Sequence, residues 1–214
     1  MDERIERYKE YRSEGQDLNS KLFDALIGDE VIEAARFLGM MEEQDGEEVV
    51  YHDGELDMAI HSDFAIHEIE RDGKTALERF YQAENWETEI EREIVEALRE
   101  SYTSLFEVAD VLPDDRVLVL DNVLGIGESR VELIDLKLSQ TASPDSLIFL
   151  RPVSLPEIVI TSGFLLPFQA ETKDHLLEVH QKVMNKTDSR PESARRFYIF
   201  YQMHEKYGIP SQVL

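Results

Sequence analysis

The apolar spacing changes from helical to alternating near residue 101, and that change constrains the fold more than any other feature. Before it, apolar residues recur every three or four positions, the period of a helix; after it they alternate, the period of a strand. Five β-rich runs follow one another from Ser104 onward: SLFEVADVL, RVLVLDNVL, RVELIDLKL, SLIFLRPV and EIVITSGFLLPF. Pro113-Asp114-Asp115, the segment from Gly125 to Ser129, Ser143-Pro144-Asp145 and Pro156 separate them. Short strands joined by tight turns predict a small antiparallel sheet or barrel.

The flanks read as helices. Residues 3–14 carry only Ile5, Tyr8 and Tyr11 on an apolar stripe, which predicts a marginal, exposed helix. Asp17 to Asn19 then offer a cap for a second helix through Leu22, Phe23, Leu26 and Ile27, ended by Gly28. Another runs from Asp29 through Val31, Ala35 and Leu38 to Gly39. Glu42 to Glu48 read as a solvated acidic loop, followed by one short strand at Val49 to Tyr51. Helices are expected over 55–70, 74–83 and 87–100, and again over 171–185 and from Pro191 to Gly208. The expected class is α+β: an acidic helical region over 1–100, a small antiparallel five-stranded sheet or barrel over 101–170 and a C-terminal helical pair over 171–214. These segments form either separate units or one compact one.

Composition removes several classes of function. The 214 residues hold 46 acids against 22 bases, a net charge of -24, with a sequence pI near 4.5. Residues 1–100 carry 30 of the acids and 11 of the bases, so the first half holds most of the excess. Such a surface repels nucleic acid unless a basic face is segregated from it, and the C-terminal stretch from Lys173 supplies an excess of only two bases. Nucleic acid is therefore not an expected partner. Colloidal solubility and adaptation to high internal salt both account for the acidity. No cysteine is present, which excludes disulfides, thiol catalysis and Cys-containing metal sites. No window approaches the ~18 to 20 apolar residues of a membrane span, and Met1-Asp2-Glu3-Arg4 opens a charged run rather than a signal peptide. A cytoplasmic setting without membrane contact is expected.

Three groups of residues are candidates for function. Asp121, Asp135 and Lys137 lie in the hairpin VLVLDNVLGIGESRVELIDLKL and match the Asp plus Asp/Glu-x-Lys pattern of metal-dependent nucleases. There the carboxylates hold Mg²⁺ and the lysine orients the attacking water; the competing reading makes them polar residues on the exposed face of alternating strands. Asp63, His67 and Glu70 fall within about 40° of the Leu56 and Ile60 stripe on a helix of 100° per residue, facing the core. They form either a carboxylate-imidazole-carboxylate metal site or a self-satisfied Asp63-His67 pair. The last helix holds Phe197, Tyr198, Phe200, Tyr201 and Tyr207, a band wider than one core stripe. Phe197, Tyr198 and Tyr201 are its candidate partner contacts, against a reading in which the helix packs over its own sheet. Gly125-Ile126-Gly127 lacks a third glycine and joins strands, so it is a turn and not a dinucleotide fingerprint. The familiar signatures of hydrolases, di-iron bundles and phosphate-binding loops are absent.

Asp63-Phe64-Ala65, Lys74-Thr75, Arg79-Phe80-Tyr81, the run from Ser101 to Val108 and the hairpin from Leu118 to Leu138 form a pattern that resembles a loose family of uncharacterised bacterial proteins. Its members join a helical first half to a compact β second half, and the resemblance covers roughly residues 56–168. Some relatives end in a Cys-rich zinc-binding tail of the kind found on the preprotein translocase motor. This chain has no cysteine, so no zinc carries over. The resemblance implies the fold and no activity, substrate or catalytic residue. The expected function is thus a non-enzymatic binding or interaction protein without a cofactor. It meets an unknown protein partner or itself through the aromatic helix or the open edge of the sheet. The alternative is a Mg²⁺-dependent phosphodiesterase or nuclease using Asp121, Asp135 and Lys137.

Overall fold

The computed structural model describes residues 3–209 and has the expected α+β architecture, with a helical N-terminal part, a five-stranded barrel and C-terminal helices. Helix α1 (Glu3–Asp24) is one continuous element, not a frayed helix followed by a second one. Tyr8, Tyr11, Leu18 and Leu22 lie on one face and are all buried, so a single stripe carries the helix across Gly15. Helix α2 (Glu30–Leu38) ends at Gly39, whose φ of 81° is the left-handed cap expected there.

The acidic stretch after it is a hairpin and not a loop. Strands β1 (Met41–Gln44) and β2 (Glu47–Val50) pair antiparallel across Asp45 and Gly46, at φ 54° and 86°. Two successive positive φ values are the type I′ turn that Asp-Gly favours, and that local signal outweighs the polarity of the strands. Helices α3 (Glu55–Glu68), α4 (Ala76–Gln82) and α5 (Glu89–Glu100) follow. Thr75 and Glu78 form a reciprocal capping box on α4, and Thr88 accepts from the Glu91 amide at the start of α5.

Strands β3 (Ser104–Leu112), β4 (Val117–Asn122), β5 (Arg130–Ile134), β6 (Leu147–Ser154) and β7 (Val159–Phe168) close into a barrel in the order β3-β4-β5-β7-β6. The sheet is mixed, where an antiparallel one was expected: Leu133 on β5 meets Val159 on β7 in parallel. The third β run does not continue to Leu138, because the chain leaves the sheet after Ile134 and enters the short helix α6 (Leu138–Thr141). Closure leaves the barrel no open edge for a partner to extend, so that expected contact surface is absent among the described residues.

Alternation divides the barrel residues into two sets. Phe106, Val108, Leu118, Leu120, Val131, Leu133, Ile148 and Leu150 form one buried cluster within it. Their neighbours Leu105, Leu147, Phe149, Phe164, Leu166 and Phe168 turn outward and pack with α2, α3 and the C-terminal helices α7 (Lys173–Met184) and α8 (Glu192–Tyr207). Phe64, Phe149, Phe164 and Phe197 meet there with ring centroids between 5.0 and 6.3 Å apart. One core cluster therefore draws on all three segments of the sequence.

The residues expected as partner contacts on α8 are largely packed within the chain. Phe197 is fully buried and Tyr201 is buried, while half-buried Tyr198 sets its edge on Phe37. The aromatic band is wide because α8 is covered on several sides, by β7, by α2 and α3, and by α7. Burying a phenylalanine contributes about 1.5 to 3 kcal/mol, so Phe197 and Phe200 belong to the core, whereas Tyr207 is exposed.

Candidate functional site

Helices α1, α3 and α5 do not close fully onto the β6–β7 pair, and a cavity of about 620 Å³ lies between them. Leu18 and Leu22 of α1, Ile94 and Leu98 of α5 and Phe164 of β7 make much of its wall. Gly15 faces it from the middle of α1, where an added Cβ would have no heavy atom within 4 Å. Polar groups also line it: Asp63 and His67 from α3, Ser162 from β7, and Arg12, Gln16 and Asn19 from α1.

Asp63 is held from two directions. Its Oδ1 accepts from Arg151 Nε at 3.0 Å, and its Oδ2 accepts from the Ser162 hydroxyl at 2.6 Å. Arg151 Nη2 donates to Glu68 Oε1 at 2.8 Å, so one strand arginine ties two carboxylates of α3 to the barrel. All three charged side chains are less than one-tenth exposed. Burial opposes the charge on Arg151, but Asp63 and Glu68 outweigh it and raise its pKa above the ordinary value. The Ser162 hydroxyl is spent on Asp63 with no imidazole between them, so the pair is not a relay that activates serine as a nucleophile.

His67 has a different environment. Burial, with the nearby charge of Arg151, holds its pKa well below the usual histidine range, so the ring is neutral at neutral pH. Among the described residues nothing hydrogen-bonds to the ring, and His67 is one of the residues lining the cavity. A neutral imidazole offers one N–H donor and one acceptor, and here neither has a protein partner among the described residues. Arg12 closes one side: its two terminal amino groups bind the carbonyl and hydroxyl of Thr161 at 3.0 and 2.6 Å, and it pairs with Asp135 at 3.5 Å.

The expected metal set does not assemble. Asp63 is taken by Arg151 and Ser162, and α3 ends at Glu68, leaving Glu70 exposed beyond the extended residue Ile69. The helical spacing that aligned Glu70 with Asp63 and His67 stops before reaching it. Among the described residues no group of three or more His, Asp or Glu side chains is placed to hold a metal ion.

The nuclease triad is also dispersed. Asp121 pairs with Arg130 at one end of the β4–β5 ladder, whereas Val117 pairs with Ile134 at the other, next to Asp135. Five residue steps of about 3.4 Å separate the two acids along the chain direction. Asp121 receives both arms of Arg130, at 2.6 and 2.8 Å, which lowers its pKa. Asp135 Oδ1 accepts from the amides of Lys137 and Leu138, capping α6, and the Lys137 side chain is exposed. The motif assumed a strand through Lys137, and the turn after Ile134 removes that assumption.

Arg151, Glu68, Arg12 and Ser162 were not among the residues the sequence suggested. Arg151 carried a usable signal, since a lone arginine inside the otherwise apolar run SLIFLRPV must find buried carboxylates if that strand is covered on both faces. No curated protein and no solved structure matches this chain. A family model described as a family of unknown function (DUF7986) matches residues 2–214, and the chain belongs to that family.

Proposed function

We propose that this is a non-enzymatic binding protein that takes a small, largely apolar molecule with one neutral polar group into the cavity between α1, α3, α5 and the β6–β7 pair. The observation that carries the reading is His67, a neutral and unpartnered imidazole on the wall of a cavity of about 620 Å³ that mixes apolar and polar lining. Binding cavities of about 300 to 1,000 Å³ combine apolar walls with a few convergent polar groups in this way. The ionised groups nearby already have partners, Asp63 with Arg151 and Asp135 with Arg12, which favours a ligand without net charge. A cytoplasmic setting belongs to the same proposal, and among the described residues no helix is long and apolar enough to cross a membrane.

The test is a fluorescence titration with N-phenyl-1-naphthylamine, a neutral amphipathic probe with a single N–H donor. Saturable, blue-shifted emission at one site per chain is expected, and Gly15→Leu should abolish it by placing a side chain in the cavity while the fold is retained. A response that does not saturate, or one unchanged in a folded Gly15→Leu variant, would refute the reading.

A further inference from the structure

His67 and Leu98 line a second, smaller cleft of about 220 Å³, bounded by the start of α4, the end of α5, the link into β3 and the first turns of α8. In a chain of net charge -24 this cleft is lined by three arginines, Arg99, Arg151 and Arg196, against two acids, Glu68 and Glu78. Both acids are already engaged: Glu68 accepts from Arg151 at 2.8 Å, and Glu78 accepts from the Thr75 amide at 2.9 Å within the capping box.

Arg196 is 7% exposed, and its only hydrogen bond runs from Nε to the Thr103 hydroxyl at 3.3 Å. Both terminal amino groups are thus without a protein partner in a residue that lines the cleft. A buried guanidinium left in this state forfeits charge-assisted hydrogen bonds, and the two free amino groups form the end-on fork that matches a pair of oxygens on one atom. Ser193, from the first turn of the 16-residue helix α8, also lines the cleft, and that helix starts at Pro191 with no side-chain cap. The positive end of the helix dipole therefore opens onto the same space.

We propose that this cleft binds the carboxylate of a small organic acid, with the Arg196 fork on its two oxygens, the Ser193 hydroxyl donating to one of them and Arg99 supplying charge at the rim. Two observations favour carboxylate over phosphate. The lining carries a single positive charge in excess, which balances a monoanion, and the walls at Glu68 and Glu78 repel a second negative charge. The volume holds roughly seven waters at about 30 Å³ each, room for an acid of a few carbons.

The experiment is a titration of the ¹⁵N-labelled full chain with sodium propionate, with sodium chloride at equal ionic strength and inorganic phosphate in parallel. The Ser193 and Ala194 amides and the Arg196 Nε–H are followed by NMR. Saturable shifts with propionate alone are expected, weakened about tenfold in Arg196→Lys, which keeps charge but loses the fork, and about threefold in Arg99→Gln and Ser193→Ala. Shifts that merely track chloride would overturn the site, as would unchanged affinity in a folded Arg196→Lys. If that variant fails to fold, unchanged affinity in both Arg99→Gln and Ser193→Ala overturns it. Tighter saturable binding of phosphate would overturn the carboxylate assignment.

Discussion

Arg151 on β6 and Asp63 on α3 are 88 residues apart in sequence and 3.0 Å apart in space, in a contact that joins the helical part of the chain to the barrel. With Glu68 on the same arginine, the site is a buried three-charge cluster. Removing one member of such a cluster strands the others. Arg151→Met should destabilise the protein by about 3 to 5 kcal/mol, because two buried carboxylates lose their partner. Adding Asp63→Asn and Glu68→Gln should recover much of that loss. Urea denaturation of the single and triple variants measures both effects, and a single variant as stable as wild type would show that the cluster does not join the two parts.

The histidines set an acid limit on stability. Burial holds His67 well below its ordinary pKa, and His61, His180 and His204 are lowered for the same first reason. The unfolded chain therefore takes up protons near pH 6.5, where the folded chain does not, so stability is full above that pH and falls below it. Each such group steepens the loss by up to ~1.4 kcal/mol per pH unit until its folded pKa is reached. Urea midpoints should fall from pH 7.5 to 5.5, and His67→Leu should reduce the slope. An unchanged slope in a folded His67→Leu would contradict the assignment of a neutral ring.

Gly15 lies inside α1 yet has no close neighbour on the Cβ side. Glycine in a helix interior costs roughly 0.5 to 1 kcal/mol relative to alanine, so Gly15→Ala should raise stability by that amount. A thermal melt decides it, and destabilisation would mean that the α1 wall is tighter than described.

Phe197 and Tyr198 are adjacent in sequence and opposite in consequence. Phe197→Ala removes a ring packed against Phe64, Phe149 and Phe164 and should cost about 3 to 5 kcal/mol. Tyr198→Ala, which loses one edge contact with Phe37, should cost about 1 kcal/mol. Similar losses from both would contradict the core role given to this face of α8.

The period change near residue 101 made the strand set legible, because alternating apolar residues have to face a common interior, and Phe106, Val108, Leu118 and Leu120 do so. The choice between an open sheet and a closed barrel was not legible, since the parallel bridge from Leu133 to Val159 joins strands that are not neighbours in sequence. At the candidate site, Asp63 and His67 were visible from helical spacing alone. Their roles were not, because the partners that separate them, Arg151 and Ser162, come from β6 and β7. Asp121 and Asp135 stay apart for a local reason, since Asp135 accepts from the Lys137 and Leu138 amides where a strand was expected to continue.

The proposed ligand binding depends on His67 as the polar contact of the cavity. The most direct measurement is the NMR signal of the His67 ring during titration with N-phenyl-1-naphthylamine. Saturable shifts of that ring are expected together with those of the Gly15 and Ser162 amides, and no comparable change at the exposed pair Asp121 and Arg130. A His67 ring unmoved by the probe, or shifts confined to surface residues, would contradict it.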